Sequence, residues 1–208
     1  MKEERDYTKD IAEIRSMMER SSKFLSLSGW AGFMAGIYAL AGAYIAYSYF
    51  NFTADHIIPN TPAAASLSTN LTGVILTAIT VLVLAIGTAV LLSYRKAQKR
   101  DEKVWNSTSR RMIIHMSVPL LAGGIFMLVL ISKNLLGFLA PSSLLFYGLA
   151  LYNAGNFTYS DIKYLGLIQV ALGLASSYYP EYGLLFWALG FGVVHIAYGI
   201  YMHLRYER

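Results

Sequence analysis

Between Phe24 and Tyr94 the chain carries a single charged residue, Asp55. That gap constrains the fold more than any motif does. The 208 residues include 17 Lys/Arg and 12 Asp/Glu, but residues 1–23 hold twelve of these charges and residues 95–111 hold nine. The other 168 residues share eight. A soluble domain carries about a quarter of its residues as charge, whereas here 14% are charged and 56% apolar. This pattern excludes an ordinary soluble enzyme, a disordered chain and a nucleic-acid-binding module. It points to segments that lie in lipid.

A bilayer core is crossed by about 20 apolar helical residues. The runs Leu25–Phe50, Leu71–Tyr94 and Met112–Ser132 are long enough. Pro59, Asn60 and Pro62 break the chain between the first two. Proline is tolerated in a first helical turn, so Pro141 predicts a fresh start and a fourth span over 141–155. That span would be only about 22 Å long, which leaves Leu135–Ala140 at the interface or in a kinked continuation. Asp161 reads as the N-cap of a fifth run, Ile162–Tyr178, and Pro180 with Gly183 turns the chain into a sixth, Tyr182–Leu204. The expected fold is all-α: a polytopic membrane bundle of six transmembrane helices (25–50, 71–94, 112–132, 141–155, 162–178, 182–204) within a membrane domain 25–204. An amphipathic cytoplasmic helix, 1–24, precedes it and a short cytoplasmic tail, 205–208, follows.

Basic residues resist transfer across a membrane. With six spans and the N-terminus inside, the inner segments hold 16 Lys/Arg and the outer segments one, Lys133. This places both termini in the cytoplasm and the chain in the inner membrane. The net charge of +5 arises largely in Arg95–Arg111, with seven basic and two acidic residues. A basic cluster beside apolar spans fixes orientation and meets anionic headgroups, so it signals no nucleic acid. At the N-terminus, Tyr7, Ile11, Ile14, Met18 and Leu25 form one apolar stripe. Its charged back carries Lys9/Glu13, Arg15/Glu19 and Glu19/Lys23 four residues apart. Such a helix lies on the membrane, packs on the inner ends of the spans, or pairs with a protein partner.

Small residues mark the helix contacts. Gly32 and Gly36 form GxxxG in the first span, and Ala188 and Gly192 repeat the spacing in the sixth. Small side chains let helix backbones approach within lipid, either inside one bundle or at a homo-oligomer seam. Tyr47, Tyr49, Tyr178, Tyr179 and Tyr182 at the outer boundaries fit an aromatic belt.

Polar groups within the spans supply the candidate site. His195 lies about 15 Å from the inner end of the sixth span, with His203 about 3 Å deep and His115 about 6 Å deep on the third. An intramembrane ionisable group is a functional hypothesis by default. Gln169 cannot bond its amide within its own turn and needs a partner. Together with Asn153 and Asn156, these residues are expected either to bond between helices or to line a cytoplasm-facing polar cavity. His115 and His203, at similar depth, are also the pair that would hold a b-type haem if their helices faced one another. No metal is expected, since no acidic or thiol ligands accompany the histidines and the chain has no cysteine.

Catalytic signatures are missing: the sequence contains no HExxH, GxSxG or phosphate-binding glycine loop. The leading expectation is a non-enzymatic membrane component, accessory or regulatory, that binds protein partners or lipid. The alternatives are a carrier or channel for a small solute, ion or lipid and, more remotely, haem-linked electron transfer.

Overall fold

The computed structural model describes residues 28–52, 67–99 and 105–207. The expected N-terminal helix, 1–24, and the loop that holds Asp55 lie outside the described residues. Six helices follow in order: α1 Gly29–Phe50, α2 Leu67–Lys99, α3 Ser107–Ser132, α4 Leu139–Ala154, α5 Asp161–Tyr178 and a composite α6. The last runs as Gly183–Trp187, a π-helical stretch Ala188–Val194 and His195–Tyr206. No strand occurs among the described residues.

Local chemistry moves several boundaries from where the apolar runs put them. Helix α2 continues beyond residue 94 through Lys96 and Lys99, where cations complement the negative helix end. Helix α3 begins five residues before Met112, because Asn106 and Ser109 form a reciprocal capping box. The same helix runs through Pro119, which is buried. Pro141 does not start α4. The helix opens at Leu139 after a 3-10 turn, Leu136–Phe138, so Pro141 falls in its first turn. The 3-10 turn and helix together run over Leu136–Ala154, 19 residues, or about 28 Å. Asp161 is the first residue of α5 rather than its cap, and the cap position, Ser160, makes no side-chain bond. Asn51 and Asn134 end α1 and the α3 turn with φ of 46° and 57°. Asparagine is among the few non-glycine residues that accept this left-handed backbone.

Five helices are long and apolar enough to cross a membrane; Asp161–Tyr178 does not meet that measure. It carries Asp161, Lys163 and Gln169 within 18 residues.

Each helix is antiparallel to the next. Helix α1 also packs along α6, with Gly29 against Gly199 and Gly36 against Gly192. A Cβ on Gly36 would lie 2.6 Å from the Gly192 carbonyl, and one on Gly199 would lie 2.4 Å from the Phe33 nitrogen. Only glycine permits that approach. The expected stripe of Gly32, Gly36 and Gly192 is therefore used inside the chain, and Gly29 and Gly199 extend it. Ala188 is half-buried at the start of the π-helical stretch. A second glycine seam joins α4 to α5, where a Cβ on either Gly148 or Gly166 would lie 2.7 Å from the other's carbonyl. Helices α2 and α3 stand apart from this arrangement: α2 packs on α1 and α3 packs on α4.

Candidate functional site

The polar groups meet where α6 departs from α-helical geometry. In the π-helical stretch the hydrogen-bond ladder widens, and the His195 N–H turns to the Gly192 carbonyl. The Gly190 carbonyl then accepts from two side chains. Gln169 Nε2 on α5 donates to it at 2.7 Å, and His195 Nδ1 lies 2.8 Å away. Those contacts assign the tautomer. A bare Nδ1 lone pair would face the carbonyl oxygen, so Nδ1 carries the proton and donates. Gln169 Nε2, 3.4 Å from Nδ1, is then a second donor on the same acceptor and not a partner of the ring. The remaining nitrogen, Nε2, accepts from the Tyr147 hydroxyl of α4 at 2.9 Å. A chain of bonds thus links α4, α6 and α5.

Packing encloses this knot. Gln169 is 0% exposed and His195 5%. Gly190 lies so close to Leu144 and Gln169 that a Cβ there would meet them at 2.5 and 2.6 Å. The His195 ring also stacks on Phe191, with centroids 5.9 Å apart. Gln169 Oε1 has no hydrogen-bond partner, which costs about 1–3 kcal/mol for a buried acceptor. The Tyr198 hydroxyl is likewise buried without a partner. Its ring lies 6.4 Å from that of Tyr201, centroid to centroid.

Of the six residues expected to share a cavity, only Gln169 and His195 come together. His115 is exposed and stacks on Phe157, with centroids 4.9 Å apart. His203 packs against Trp30 and bonds Glu207. Asn153 lies in the last turn of α4 and Asn156 just past it, where the Asn156 N–H bonds the Asn153 carbonyl. Helical depth placed His115 and His203 at comparable levels, but depth carries no information about which way each helix faces. Of the pair weighed for haem, His115 packs on Phe157 and His203 on Trp30. Among the described residues, no group of three or more His, Asp or Glu could hold a metal ion.

The sequence reading missed Tyr147, Gly190 and a second cluster at the charged end of the bundle. There Glu207, just past α6, accepts from the Gly29 N–H at 3.0 Å, from Lys96 Nζ at 2.9 Å and from His203 Nδ1 at 2.9 Å. One carboxylate thereby ties the start of α1 to the ends of α2 and α6, and it serves as the anion at the N-terminus of α1. Burial alone would raise the Glu207 pKa, but the bonds from His203, Lys96 and Gly29 outweigh it and hold the group at about 2. Beside it, Asp161 accepts from the hydroxyls of Tyr206 at 2.7 Å and Tyr201 at 3.3 Å. The ring of Tyr206 lies on Tyr159, with centroids 4.3 Å apart.

Comparison of the chain with family models, curated proteins and solved structures finds no match.

Proposed function

We propose that the chain is a six-span inner-membrane bundle with both termini in the cytoplasm, acting as an accessory or regulatory component by binding rather than by catalysis. The observation that carries this reading is the surface of α2. None of the residues in its apolar window is buried inside the protein, and Leu76, Leu82, Val83 and Val90 are each more than half exposed. Apolar area of this extent marks a lipid or protein contact. Helix α3 presents a comparable face through Val118, Leu121, Ile125 and Leu128.

Charge supports the orientation. Seven described basic residues (Arg95, Lys96, Lys99, Arg110, Arg111, Lys163, Arg205) sit at one end of the alternating helices, and Lys133 alone sits at the other. Three features support counting α5 as the sixth span: it is about 27 Å long, lies antiparallel on α4, and keeps Asp161 and Lys163 at the basic end. The enclosed bonding around His195 favours an interhelical tie over a solvent-lined carrier path. The N-terminal segment, 1–24, and the basic stretch 95–111 are the proposed docking elements for a cytoplasmic partner.

The chain lacks cysteine, so single introduced thiols report topology without background. Asn156→Cys and Glu181→Cys flank α5 at exposed positions. An impermeant maleimide applied to intact cells is expected to label position 181 and to reach 156 only after permeabilisation. Labelling of both from one face would overturn the six-span reading.

A further inference from the structure

We infer that the space between α2 and α3 is a binding site for one glycerophospholipid, with an acyl chain inside it and the phosphate at Lys133. This rests on the membrane reading above and names the ligand. Helices α2 and α3 form no packed interface with one another. Between them, floored by α1, α4 and α6, lies a cavity of about 330 Å³, within the roughly 300–1,000 Å³ typical of small-molecule sites. Val74, Ala78 and Leu82 line one wall, Gly124 and Met127 the other, and Trp187 the floor. The polar side-chain groups around it are the Thr77 and Ser143 hydroxyls and the Trp187 indole N–H, and the two hydroxyls bond the Gly73 and Ala140 carbonyls of their own helices. The lining is therefore almost wholly apolar, and a hydrocarbon chain is the occupant that suits it.

The headgroup assignment comes from charge. Ile131 lines the cavity at the end where α3 stops, and Lys133 follows two residues later, exposed. It is the one basic residue at that end among the described residues, against the trend that keeps cations at the opposite face. A lysine at the headgroup level above an apolar cleft complements a phosphodiester joined to an acyl chain. Gly124 shows that the cleft has room, because a Cβ added there meets nothing within 4 Å.

Trp187 makes occupancy measurable. In a Trp30→Phe/Trp105→Phe background, the full-length protein in detergent would be titrated with phosphatidylglycerol brominated on its acyl chains. Quenching is expected to saturate near one lipid per chain. Gly124→Leu, which fills the cleft, is expected to remove the saturable component. Gly87→Leu, an equally uncrowded position on α2 outside the lining, is expected to keep it. Lys133→Gln is expected to weaken binding about fivefold, the effect of roughly 1 kcal/mol for one cation near a charged headgroup, and to leave the depth of quenching unchanged. Quenching that rises linearly without saturation, or that Gly124→Leu leaves intact, overturns the proposal. So does a wild-type dimer by light scattering that Gly124→Leu converts to monomer, since the cleft would then hold a second copy. If positions 156 and 181 label from opposite faces while saturable quenching is absent, only the lipid site fails. If both label from one face, the membrane reading fails first.

Discussion

Helices α2 and α5 both carry polar side chains in apolar surroundings, and they satisfy them differently. On α2, Thr77 and Thr80 bond the carbonyls four residues back, both at 2.8 Å, and ask nothing of a neighbouring helix. On α5, Gln169 reaches across to Gly190, and a glycine seam brings α4 to within backbone contact. The first strategy leaves a helix free to face lipid or a ligand. The second commits a helix to one position. Within this small bundle, α4, α5 and α6 thus form a fixed block, while α2 is held chiefly by α1, the Tyr38–Thr88 contact at 3.2 Å and Lys96 at its end.

Substitutions can test that division. Gly166→Leu places a side chain where even a Cβ would lie 2.7 Å from the Gly148 carbonyl and the Tyr152 nitrogen. It is expected to cost about 3 kcal/mol or more in equilibrium unfolding from mixed micelles, whereas Gly87→Leu on α2 should change little. A tolerated Gly166→Leu would dissolve the fixed block. Glu207→Gln comes next, at about 2 kcal/mol near neutral pH for the loss of charged hydrogen bonds. The sign of its pH dependence follows from its low pKa. The carboxylate's contribution is complete above the ordinary value of 4.5 and disappears as pH falls toward about 2. Wild type should lose stability across that window, with the carboxylate facing Lys96, His203 and the Gly29 N–H, and Glu207→Gln should flatten the profile. An unchanged slope in the variant would assign the acid sensitivity elsewhere. The smallest contrast sets Tyr147→Phe, about 1 kcal/mol for one lost bond, against Thr80→Val, within about 0.5 kcal/mol. Equal costs would erase the distinction between interhelical and self-bonded polar groups.

Much of the helix layout was legible because charge and proline mark boundaries in a chain with so little of either. The error at Pro141 has a plain cause: a proline three residues into a helix reads the same as one at its first position. Gly32, Gly36 and Gly192 were visible as spacing within one helix. The Gly148–Gly166 seam carried a signal that spacing within one helix does not reveal. Both residues lie nine positions from Phe157, and Pro141 and Gly173, also in contact, both lie sixteen from it. An antiparallel pair folded about that turn would bring each set together. The candidate site was half legible. Gln169 demanded a partner on chemical grounds and His195 was the deepest ionisable group, but their meeting point is a backbone carbonyl freed by a π-helical stretch, which no side-chain pattern announces.

That stretch also sets the phase of the last helix. One residue more than an α-helix would use turns everything beyond it by about 100°. Remove one residue from 188–194 and the ladder would close, but Gly199 would swing away from Phe33 and Glu207 would leave the start of α1. The widened turn acts as a gear tooth: it lets a single helix present one side to α4 and α5 near its start and a different side to α1 near its end.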